Sequence, residues 1–196
     1  YTKFSVTQPA GSTDIWKIKN DGKLQKISGV INGSDTLAWQ KLKEAVQNFP
    51  AGSTITINGE IKATDATGNS GEIVIDKNLT IKGKTGAGSD ILDANSTTTD
   101  SNAPTTKHRI FKVENGKKLT LKNLTLKNGK ASGSGENANG GALYIGPNVP
   151  TINLTQVTLT DNTASGNGGA IYIDNARVNL TKVTLTNNTA NGDGGA

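Results

Sequence analysis

Cysteine and methionine are absent, histidine occurs once, and aromatic residues make up 4% of the 196 positions. Without cysteine there are no disulfides and no thiolate metal site, and the compartment is left open. No apolar run approaches the ~20 residues that a spanning helix needs, so the chain is not expected to cross a membrane itself. A first residue other than Met fits a processed fragment of a longer protein. Few aromatics together with 24 glycines would, taken alone, point to disorder. Yet Val, Ile, Leu and Thr recur in short alternating runs, the mark of many strands joined by turns. The length fits one domain with a small N-terminal extension.

The net charge of +5 is uneven: residues 1–130 hold 19 basic and 12 acidic side chains, residues 131–196 only 2 and 4. The lysines are scattered and no nucleic-acid motif accompanies them, so a solvated basic surface is expected and nucleic acid is not a partner.

What the chain has in abundance is a repeat. "LTLKNLTLKNGKASG" from Leu119, "INLTQVTLTDNTASG" from Ile152 and "VNLTKVTLTNNTANG" from Val178 superimpose at offsets of 33 and 26 residues. The rhythm within each copy is two, with Val157 and Leu159 apolar against Thr158 and Thr160 polar. Short strands, each pairing with its copy in the next repeat, predict an all-β fold: a parallel β-helix with coils about 4.8 Å apart. Its core positions are Leu121, Leu124, Leu126, Leu154, Val157, Leu159, Leu180, Val183 and Leu185. Gly129, Asn162 and Asn188 share a column; their interchange predicts a corner of positive φ and an asparagine ladder along the stack. Gly140-Gly141-Ala142-Leu143 and Gly168-Gly169-Ala170-Ile171 bring the backbone back into the stack at a crowded bend. Leu143, Ile145, Ile171 and Ile173 then face inward, and Tyr144 and Tyr172 outward.

Three regions follow. Residues 1–30 form an extended segment or hairpin. Residues 31–52 hold a short capping helix, with Ser34 or Asp35 as N-cap, an apolar face of Trp39, Leu42, Val46 and Phe49, and a stop at Pro50 and Gly52. Residues 53–196 are the coils, and the helix covers their open end.

"GGALYI" and "GGAIYI", alternating with "LTDN" (Leu159 to Asn162) and "LTNN" (Leu185 to Asn188), resemble the repeat of bacterial polymorphic outer membrane proteins. In that family Gly-Gly-Ala plus Ile, Leu or Val alternates with Phe-x-x-Asn; here Leu stands in place of Phe. A wider set of pectin-lyase-like surface proteins shares these features. The resemblance implies a right-handed, pectin-lyase-like solenoid on the bacterial cell surface or secreted, serving adhesion, recognition or spacing. A host surface protein or a polysaccharide is the implied partner, and no cofactor is implied. Because the sequence stops within a third Gly-Gly-Ala, further coils are expected beyond Ala196.

The same fold carries polysaccharide lyases and hydrolases, which need converging carboxylates and a proton-transferring group. The repeats hold no acidic column and no metal site. Asp90, Asp93 and Asp100, with His108 and Arg109, make the one candidate cluster. Against it, Asp90 and Asp93 bracket a strand as turn residues do. The Tyr144–Tyr172 stack either receives a sugar ring or is a cross-strand pair that stabilises the sheet.

Overall fold

The computed structural model describes residues 13–19, 21–97 and 100–195. Its elements begin with strands β1 (Ile15–Ile18), β2 (Leu24–Ile27) and β3 (Val30–Asn32), then helix α1 (Ala38–Asn48). Next come β4 (Thr54–Asn58), β5 (Glu60–Lys62), β6 (Ile73–Ile75), β7 (Leu79–Gly83), β8 (Ile91–Asp93) and β9 (Phe111–Val113). The repeats supply β10 (Leu119–Lys127), β11 (Lys130–Ala131), β12 (Leu143–Ile145), β13 (Ile152–Thr160), β14 (Thr163–Ala164) and β15 (Ile171–Ile173). The last are β16 (Val178–Thr181), β17 (Thr184–Thr186) and β18 (Thr189–Ala190).

Strands β1 and β2 form an antiparallel hairpin; the other pairings among the described residues are parallel. The largest sheet runs β3-β4-β7-β10-β13-β16, with β5, β8 and β17 attached; β6-β9-β12-β15 form a second and β11-β14-β18 a third. The registers are those of the sequence columns: Leu121 opposite Leu154 and Leu180, and Leu126 opposite Leu159 and Leu185. Each repeat therefore lies directly on its neighbour.

Left-handed corners recur in each repeat, and two of them shape its longest strand and the turn that follows. In β13 the buried residues are Ile152, Leu154, Val157 and Leu159, so the two-residue alternation slips by one between Leu154 and Val157. The chain bends there: Gln156 has φ 54, and Asn123 and Lys182 in the same column have φ 53 and 54. The second corner differs from the sequence expectation by one residue. It falls at Asn128 (φ 56), Asp161 (φ 56) and Asn187 (φ 55), ahead of the Gly129/Asn162/Asn188 column. That column turns inward instead and forms the ladder. Asn162 Oδ1 accepts the Gly129 N–H at 2.8 Å, while its Nδ2 donates to the Leu126 carbonyl at 3.2 Å and to Asn188 Oδ1 at 2.9 Å. Gly129 begins the ladder because a Cβ there would lie 2.2 Å from the Gly141 carbonyl oxygen.

The helix is where expected, but its cap is not. Leu37 is the N-cap residue, in left-handed backbone (φ 56) with no side-chain cap bond. Asp35 is occupied elsewhere, accepting the Asn32 N–H at 3.2 Å. A distant residue does part of the capping: Asn69 Oδ1 accepts the Gln40 N–H at 3.2 Å. At the other end Phe49 turns extended (ψ 143) ahead of Pro50. Buried Trp39, Leu42 and Val46 join the main core, and Trp39 Nε1 donates to the Gly71 carbonyl at 2.9 Å.

Six of the nine expected core residues, Leu121, Leu124, Leu126, Leu154, Val157 and Leu159, are buried. The other three belong to the last described repeat and are not. Leu180 is 51% and Leu185 36% exposed, Val183 is half-buried, and Ile173 is 45% exposed where Ile145 is buried. The reason is positional: no described segment lies over that repeat, so its inward face has no partner. No helix among the described residues is long and apolar enough to cross a membrane. Of the N-terminal segment, residues 1–12 lie outside the described residues, as does Ala196 of the third Gly-Gly-Ala.

Candidate functional site

The Gly-Gly-Ala motif is a piece of backbone engineering that aims the strand after it. Gly140 (φ 70) and Gly168 (φ 67) take left-handed backbone. Each following glycine sits under the next repeat: a Cβ on Gly141 would fall 2.2 Å from the Gly169 carbonyl oxygen. The preceding asparagine forms a second ladder, with Asn139 Oδ1 accepting the Asn167 N–H and Asn167 Oδ1 the Asp193 N–H, both at 2.8 Å. With the bend so fixed, β12 turns Leu143 and Ile145 inward.

The outward row of this sheet is, by register, Val74, Lys112, Tyr144 and Tyr172. The tyrosine rings are stacked, with centroids 5.5 Å apart and planes at 12°. Arg109 caps the stack, its guanidinium 5.0 Å from the Tyr144 centroid. As a result Tyr144 is only 4% exposed, and Tyr172 is the ring that meets solvent. Arg109 is itself buried, held by Glu72 at 3.2 Å and by the Glu136 carbonyl at 2.9 Å. Burial pulls its pKa down and the carboxylates of Glu72 and Glu136 oppose that. Lys112 Nζ binds Glu136 at 2.9 Å, which holds the Glu136 carboxyl below its usual range.

Beside this row opens a cleft of about 200 Å³, lined among others by Glu72, Lys107, His108, Arg109, Lys130 and Asn137. His108 Nδ1 lies 2.8 Å from the Arg109 carbonyl oxygen, so it carries the proton and donates. Burial pushes the imidazole below its ordinary value, with the Arg109 carbonyl opposing, and the ring packs 5.4 Å from Trp39. His108 is therefore a neutral group that ties the cleft to α1.

Asp90, Asp93 and Asp100 lie around β8, and each is occupied. Asp90 is buried and accepts N–H groups of Gly59, Thr85 and Gly86. Burial raises its pKa, but those three donors outweigh it and hold the carboxyl below the usual range. Asp93 accepts from the Asn95 N–H at 2.7 Å and Asn128 Nδ2 at 2.9 Å. Asp100 pairs with Lys62 at 2.5 Å and accepts from Asn95 Nδ2 and the Asn102 N–H. No hydrogen bond or ion pair among the described residues joins any of the three to His108 or Arg109. Glu72, Lys130 and Glu136 escape a sequence reading, because only stacking brings them to Arg109, whereas Lys107 stands two residues before it in the chain. Lys112 was legible: "IFKV" (Ile110 to Val113) fits over "ALYI" (Ala142 to Ile145).

Residues 156–174 match the Chlamydia polymorphic membrane protein repeat, which relates this stretch to the polymorphic outer membrane proteins of bacteria. The matched stretch runs from the Gln156 corner through the Asn162 ladder and Gly-Gly-Ala to the end of β15. No curated protein and no solved structure matches the chain.

Proposed function

We propose that this chain forms a right-handed parallel β-helix, of the pectin-lyase-like kind, displayed on a bacterial surface or secreted, whose work is non-catalytic recognition. Parallel strands joined by crossovers adopt the right hand almost without exception. Residues 31–52 close one end of the stack and residues 53–196 are its coils. The similarity of residues 156–174 to a polymorphic membrane protein repeat supports the surface location.

The observation that carries the reading is the outward row, where Arg109 holds the Tyr144–Tyr172 stack in place and leaves the Tyr172 ring half-open to solvent. A flat ring with charged neighbours is suited to adhesion to a host protein or a polysaccharide. The test is incubation with polygalacturonate and Ca²⁺, following unsaturated product by ultraviolet absorbance, beside a binding assay on host matrix and cells. Saturable binding without turnover, weakened by Tyr172→Ala, is the expected result. Turnover that disappears in Asp90→Asn/Asp93→Asn would make the chain a lyase and overturn the reading.

A further inference from the structure

We infer that the cleft beside the tyrosine stack is an oxyanion site that receives the carboxylate or sulfate of an acidic saccharide chain. The assignment rests on the recognition reading above and names its ligand class. Three cations, Lys107, Arg109 and Lys130, line the cleft against one carboxylate, Glu72, and Glu72 is already paired with Arg109. Neither Lys107 nor Lys130 has a carboxylate within ion-pair distance among the described residues. Lys107 is nevertheless fixed, its Nζ donating to the Thr97 carbonyl at 3.1 Å. The backbone N–H of Lys130 donates to the His108 carbonyl at 2.9 Å, which holds the two basic segments together.

The second observation lies inside the cleft wall. Arg109 is 4% exposed, and its Nη1 has no hydrogen-bond partner although Nε and Nη2 are both used. A buried guanidinium donor without an acceptor is costly, and an incoming oxyanion is the acceptor that would complete it. His108 is neutral at physiological pH and does not add to the charge, so the recognition is by the three permanent cations. The volume, about 200 Å³, admits an acidic substituent with part of its ring. Arg109 also lies over Tyr144, so the cleft and the aromatic column that continues to Tyr172 share this residue. That shared residue favours a saccharide over a free anion.

The experiment uses the whole chain with three probes, polygalacturonate, dextran sulfate and neutral dextran, measuring binding by biolayer interferometry at two salt concentrations and polymer length before and after. The expected result is salt-sensitive binding to one or both acidic polymers and none to dextran, with the preferred polymer identifying carboxylate or sulfate as the group recognised. Lys107→Gln/Lys130→Gln should weaken it about tenfold or more. The charge-matched control Lys82→Gln/Lys122→Gln, whose lysines project from the outward face of a different sheet, should change it less than twofold. No binding to either polymer, equal loss in both double variants, or unchanged binding in the cleft variant overturns the oxyanion site. Shortening of a polymer overturns instead the non-catalytic reading on which it rests, so the two failures are told apart.

Discussion

Asn162 shows how much one side chain holds in this architecture. It is fully buried, and its amide serves the repeat before it and the repeat after it. Asn162→Ala would remove the acceptor of the Gly129 N–H and a donor to the Leu126 carbonyl in the core, and should cost about 2–4 kcal/mol in chemical denaturation. Asn188→Ala, in the less covered repeat, should cost distinctly less. Val157→Asp places a charge in the stack, and a loss of several kcal/mol is expected; an unchanged melting temperature would contradict its inward position. His108 gives the fold a pH dependence of defined sign. Its folded pKa lies below the ordinary 6.5 because burial penalises the cation, with Lys43 and Lys107 adding to the effect. The unfolded chain therefore binds the proton more readily, and stability is complete above pH 6.5 and falls as the pH drops below it. Melting curves from pH 7.5 down to 5 should show the decline, and His108→Gln should flatten it.

At the scale of the element, the glycines divide sharply by position. Gly141→Ala would drive a Cβ into the Gly169 carbonyl oxygen and should cost about 3 kcal/mol, at the upper end for overpacking. Gly88→Ala meets no atom within 4 Å, and its melting temperature should match the parent's or rise slightly. Strands were the most legible feature of the sequence, since Leu121/Leu154/Leu180 and Leu126/Leu159/Leu185 align as columns and pair in the same register. Corners were less so. Asn123 is an ordinary left-handed residue, but Gln156 and Lys182 share its conformation with no local preference for it. Tertiary stacking imposes that backbone, and only the slip in apolar alternation between Leu154 and Val157 betrays it. The same holds for the helix cap: Ser34 and Asp35 have the right chemistry, yet the acceptor comes from Asn69, 29 residues beyond Gln40.

For the whole molecule, burial is cooperative along the stack. Leu154 is buried because Leu121 and Leu180 flank it, and Leu180 is exposed because nothing described flanks its other side. The candidate site is a product of the same stacking. Glu72, Arg109 and Glu136 come from separate stretches of chain, and no local motif announces their meeting. The tyrosines were visible in advance as one column; that Arg109 covers one ring and leaves the other open was not. The account stands on successive repeats lying over one another in parallel register, and the absence of native cysteine makes that directly measurable. Thr155 and Thr181 face each other across β13 and β16, within disulfide reach, whereas Thr155 and Thr184 do not pair. Mild oxidation of Thr155→Cys/Thr181→Cys should give an intramolecular crosslink with no free thiol, and Thr155→Cys/Thr184→Cys should keep both thiols free. Equal crosslinking of the two, or crosslinking of the second alone, would contradict the stack.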